Sequence, residues 1–114
     1  MSAITTHVLD TSIGRPASGV EVRLERRSAP TQWTGIGTGR TDGDGRLRTL
    51  LPESHSLEPG VYRITFEVGA YFERSGTPSF YPLVSIVFQV PRGDEHYHVP
   101  LLVSPFGYST YRGS

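Results

Sequence analysis

Apolar and polar residues alternate with period two along most of this chain, the repeat of a β-strand with one buried face. In VEVRLE, Val20, Val22 and Leu24 fall on one face and Glu21, Arg23 and Glu25 on the other. VYRITFEV sets Tyr62, Ile64, Phe66 and Val68 against Val61, Arg63, Thr65 and Glu67. LVSIVFQV repeats the pattern with Val84, Ile86, Phe88 and Val90. Turn signals separate the runs: IGRPASG, TDGDG, LEPG and PRGD. The pattern predicts an all-β fold of short strands, a sandwich or barrel.

Strands are expected at 4–9, 20–26, 33–38, 46–51, 60–68, 83–90, 96–103 and 108–113. One short helix is expected near 70–75 in GAYFERSG, followed by a loop, SGTPSFYP. Pro100 falls inside the strand around His98 and removes a ladder donor, which predicts an edge or an irregular stretch there. With no internal repeat and no linker, residues 1–114 are read as one domain.

Composition narrows the function classes. A chain of 114 residues buries roughly 65% of its unfolded surface, a thin core that subunit contacts would reinforce. Cysteine is absent, so disulfides, thiolate metal ligands and a thiol nucleophile are excluded. Eleven basic and eleven acidic residues cancel, which argues against nucleic-acid binding through a basic field. MSAITTHVLD lacks the basic and apolar regions of a secretory signal, and no apolar run approaches the ~18 residues of a bilayer span. A cytoplasmic protein without a membrane partner is the expectation.

Candidate chemistry interrupts the strand pattern in a few places. His7 lies in ITTHVLD, where a purely structural strand favours Val, Thr or Ile. EHYHVP puts His96 and His98 on one face of a strand, a His-x-His pair with no third ligand and hence a weak metal signal. Arg46 follows the TDGDG turn and begins a strand, where its fork suits a planar carbonyl or carboxylate. The chain ends TYRGS, with an aromatic ring, a guanidinium, a hydroxyl and a free carboxylate within its last residues. Each of these is also common on ordinary surfaces, and none alone decides a function.

The joint pattern is more specific. THVLD near the start, TDGDGR in the middle and EHYHVPLLVSPFGYSTYRGS at the end resemble the 5-hydroxyisourate hydrolases, the transthyretin-related proteins. LDTSIGRPASGVEVRLE and GVYRITFEVGAYF extend the resemblance over essentially the whole chain. The terminal Tyr-Arg-Gly-Ser is that family's hallmark and separates it from transthyretin, the hormone carrier of the same architecture.

The resemblance implies a transthyretin-like sandwich of eight strands in two sheets with one short helix. It implies a homotetramer with a central channel and active sites at the dimer–dimer interface. The implied reaction is the hydrolytic ring opening of 5-hydroxyisourate to 2-oxo-4-hydroxy-4-carboxy-5-ureidoimidazoline in urate breakdown, needing no cofactor and no metal. The family's catalytic positions fall on His7, Arg46, His98 and Ser114, with Tyr111 joining His7 and Arg46 as substrate contacts. On this reading the two histidines transfer protons, in an order left open, and Arg46 polarises the substrate carbonyls. Tyr111 packs on the flat ring, Ser114 positions water or substrate, and His96 stays outside the catalytic set.

Two other classes are weighed against it. A transthyretin-like carrier would hold a small aromatic ligand in the channel without turnover. A structural sandwich would show only stability effects when these side chains are changed.

Overall fold

A computed structural model describes residues 3–114. Among the described residues, nine strands and one helix follow in order: β1 (Ile4–Asp10), β2 (Arg15–Pro16), β3 (Glu21–Ala29), β4 (Gln32–Arg40), β5 (Arg46–Leu47), β6 (Gly60–Phe66), α1 (Val68–Arg74), β7 (Val84–Val90), β8 (Tyr97–Ser104) and β9 (Gly107–Thr110). One sheet runs β2-β1-β8-β9, with β5 also paired to β1; the other runs β4-β3-β6-β7. All pairings are antiparallel except β1 with β8. The all-β two-sheet sandwich with one short helix is therefore present.

The alternation read from the sequence becomes the core between the sheets. Val22 and Leu24 on β3, and Tyr62, Ile64 and Phe66 on β6, are fully buried against Ile4 and Val8 of β1 and Leu101 and Val103 of β8. Each such side chain contributes about 1.5–3 kcal/mol on burial. The two core tyrosines satisfy their hydroxyls on main-chain carbonyls, Tyr62 on Glu58 at 2.6 Å and Tyr97 on Arg92 at 2.7 Å.

Besides shifts of one to three residues at other strand ends, four features differ from the sequence expectation. The additional strand, β2 (Arg15–Pro16), is a two-residue pairing against Leu9 and Asp10, too short to carry a period. The strand expected at 46–51 stops at Leu47. Beyond it, Leu50 and Leu51 turn into the core, and Leu50 lies on the glycine-rich strand β4: a Cβ on Gly37 would come within 1.9 Å of the Leu50 carbonyl oxygen. The strand expected to reach 68 stops at Phe66, because Val68 and Phe72 bury one face of α1, which starts two residues before its expected position. The last strand is Gly107–Thr110, not 108–113.

Of the two alternatives expected at Pro100, an edge or an irregular stretch, the edge is not present, since β8 lies between β1 and β9. The carbonyls of His98 and Pro100 both face the β9 side, accepting from the Gly113 N–H at 2.8 Å and the Thr110 hydroxyl at 2.7 Å. The nitrogen of Pro100 shares that side. There the ladder breaks after Thr110 and resumes only as a bridge between His98 and Gly113. The missing donor falls in the gap, so the irregular stretch is real and the edge is not.

Candidate active site

Register alone assembles most of the candidate residues on the outer face of the β2-β1-β8-β9 sheet. In β1 the even-numbered Ile4, Thr6 and Val8 are buried, so Thr5 and His7 take the opposite face. His7 stands opposite Arg46 of β5 on one side, and Thr5 stands beside His98 of β8 on the other. In β8, Tyr97, Val99 and Leu101 point inward, which turns His98 outward.

The turn before Arg46 is built from its own sequence. The Asp42 carboxylate accepts the N–H groups of Asp44 at 2.9 Å and Arg46 at 3.0 Å. These two bonds, that from Arg46 first, hold the Asp42 carboxyl below its ordinary range. Gly45 closes the turn at φ +75°, and a Cβ there would lie 2.4 Å from the Val8 carbonyl oxygen. Only glycine combines that backbone with that approach. The same turn presents the Asp44 carbonyl to His7, whose Nε2–H donates to it at 2.9 Å. In a neutral His7 the bare nitrogen is then Nδ1.

A cleft of about 340 Å³ is lined by Thr5, Thr6, Arg46, Arg48, His96, His98 and Ser114. His98 is partly buried at its floor, and its pKa is depressed first by that burial, then by the charges of His96, His7 and Arg46. His98 is thus held as neutral imidazole. Its Nδ1 lies 2.8 Å from the Thr5 hydroxyl, which lies 3.0 Å from Nε2 of His96.

The chain end is fixed beside this floor. Arg112 stacks over the Tyr97 ring at 4.7 Å and pairs with Glu95 at 3.2 Å. Gly113 donates its N–H to His98, and a Cβ there would meet the His98 ring at 2.6 Å. Ser114 follows directly into the cleft.

Arg46, His98 and Ser114 therefore share one cavity. His7 flanks it as Arg46's register partner and acts on His98 through space, without lining the cavity wall. Tyr111, exposed, lines a neighbouring and more apolar groove of about 330 Å³ with Ile86, Phe88 and Tyr97; His98 borders both. Sequence reasoning missed Thr5 and Arg48. Both sit two positions from a candidate residue, so the period of a strand applied to His7 and Arg46 was the available signal. Both histidines of the His-x-His pair direct a nitrogen to Thr5, and among the described residues no group of three or more His, Cys, Asp or Glu could hold a metal ion.

Comparison with known proteins adds to this geometry. The model of the HIUase/Transthyretin family matches residues 4–113. A 5-hydroxyisourate hydrolase of Caulobacter vibrioides is 50% identical over 119 residues, covering 100% of both chains. The structure of Klebsiella pneumoniae 5-hydroxyisourate hydrolase superposes with a TM-score of 0.83 at 39% identity, covering 97% of this chain and 98% of the other. Sea bream transthyretin in complex with thyroxine superposes with a TM-score of 0.89 at 35% identity, covering 97% and 94%.

Proposed function

The chain belongs to the HIUase/transthyretin family, and we propose from that premise that it is a 5-hydroxyisourate hydrolase of urate degradation. The observation that carries this is the cleft in which a neutral imidazole, a guanidinium and the chain terminus converge, on His98, Arg46 and Ser114. The substrate's acyl C–N bond is opened by water, giving 2-oxo-4-hydroxy-4-carboxy-5-ureidoimidazoline. That reaction needs a base for the attacking water, a cation for the developing oxyanion and a proton for the departing nitrogen.

On this reading His98 and His7 move the protons, His98 through Nε2, since its Nδ1 is occupied by Thr5, and His7 through Nδ1, since its Nε2–H is occupied by Asp44. Arg46 holds the carbonyl oxygen that becomes the oxyanion. Ser114 orients water or substrate, and Tyr111 packs against the planar ring from the adjoining groove. The placement of these groups, His7, Arg46 and His98 half-buried and Tyr111 and Ser114 exposed, around an open cleft on a sheet face supports a homotetramer in which a second copy closes each site. The carrier reading is weaker, because charged and imidazole groups line the cleft where a hydrophobic aromatic ligand favours apolar ones.

Product analysis tests the proposal. Freshly generated 5-hydroxyisourate mixed with the protein should give the ureidoimidazoline as the first product seen by ¹³C NMR, before its slower non-enzymatic conversion. Tight binding of a hydrophobic aromatic with no acceleration of ring opening would replace the hydrolase with a carrier.

A further inference from the structure

Both hydrogen bonds of the Thr5 hydroxyl go to imidazole nitrogens, Nδ1 of His98 at 2.8 Å and Nε2 of His96 at 3.0 Å. The neighbouring Thr6 is different, spending its hydroxyl on the Val99 carbonyl at 2.6 Å. Thr5 is 3% exposed. The register pairing Thr5 with His98 fixes it at the cleft floor. The two imidazoles lie 6.5 Å apart with planes 21° from parallel, separated by a space that the hydroxyl bridges.

A hydroxyl has one proton, so Thr5 can donate to only one of these nitrogens and must accept from the other. If it donates to His96 Nε2, that ring carries its proton on Nδ1, and His98 must donate from Nδ1, leaving His98 Nε2 bare. If it donates to His98 Nδ1, both rings carry the proton on Nε2. Mixed tautomers would break one of the two bonds.

We propose that Thr5 is a positioning residue that locks His96 and His98 into the same tautomer and relays protons between them, so that His96 becomes the solvent port of the catalytic His98. This deepens the hydrolase reading and rests on it for the catalytic role of His98, while the tautomer lock is independent of any substrate.

The relay balances. When His98 Nε2 takes a proton from the attacking water, its Nδ1 proton passes to the Thr5 oxygen and the Thr5 proton passes to His96 Nε2. His96, exposed on the chain surface, then releases its Nδ1 proton to solvent. Counting the proton taken up by solvent, four N–H or O–H bonds form and four break, and no charge stays on His98. The reverse sequence returns His98 to the bare-Nε2 state after it has given its proton to the leaving nitrogen. The relay avoids a cation at a site where burial and the fields of His96, His7 and Arg46 already disfavour one. Ser114 faces the same cleft.

Two measurements test this. In ¹⁵N-histidine spectra of the native protein at about pH 8, where ordinary histidines are neutral, His96 and His98 should populate matched tautomers. In Thr5→Val the match should be lost while Thr5→Ser keeps it. In turnover, Thr5→Val should lower kcat roughly tenfold to a hundredfold with little change in KM, and Thr5→Ser should recover most of it.

Opposite tautomers on the two rings of the native protein overturn the lock, with or without a foldable Val variant. Unchanged kcat in a folded Thr5→Val overturns the relay. A native protein that shows the matched tautomers but does not accelerate ring opening retains the lock and removes the hydrolase reading instead.

Discussion

His98 carries the sharpest residue-scale expectation. Its pKa is lowered from the ordinary 6.5, by burial first, so the neutral base persists below the pH at which a free histidine protonates. The acid limb of the kcat/KM profile should therefore fall below pH 6.5. Linkage gives the same window for stability. Between the depressed folded value and 6.5 the unfolded chain binds more protons, so the contribution of neutral His98 is full above 6.5 and is lost as pH falls through that window. Replacing His98 by Gln should flatten this part of a denaturation-versus-pH curve; an unchanged curve would place the shift elsewhere. His7, Arg46 and His98 stood out as candidates because imidazole and guanidinium interrupt an alternating strand, but the roles proposed for them came from the family resemblance. Thr5 was not, because threonine is an ordinary strand residue, and its role depends on register with a strand 93 positions away.

At the scale of elements, two glycines set the site. Gly45→Ala forces a side chain onto the Val8 carbonyl at a left-handed φ of +75°, and should cost upwards of about 1–3 kcal/mol of stability while displacing Arg46. Gly113→Ala is a milder test of the tail. Its Cβ meets the His98 ring at 2.6 Å while the residue itself lies in an irregular end segment. Activity should therefore drop at least tenfold with the melting temperature changed by only a few degrees. Equal loss of both would make the tail a structural strap only. The long strands β3, β6 and β7 were readable from alternation. Two-residue β2 and β5 were not, since pairing rather than periodicity defines them. The break opposite Pro100 was half readable: sequence shows the missing donor, but whether a strand lies at an edge is decided by its neighbours.

The whole molecule presents a sheet face with a cleft on it, and exposed apolar residues that include Phe80, Phe106, Tyr108 and Tyr111. A homotetramer should bury part of this surface, and sedimentation equilibrium should return four times the mass of one chain, in the native protein and in His7→Ala alike. A stable monomer with full activity would remove the interface from the account. Assembly was not derivable from the periodicity, which fixes inward and outward faces but not what covers the outward one. The central claim is that this face hydrolyses 5-hydroxyisourate with His7 as one of its proton carriers. The most direct measurement follows the ultraviolet absorbance of 5-hydroxyisourate generated in place by urate oxidase. The account predicts decay far faster than the spontaneous rate with the native protein, and loss of about 10²–10⁴-fold of that acceleration in tetrameric His7→Ala. Decay at the spontaneous rate from well-folded native protein, or near-native acceleration by His7→Ala, would contradict it.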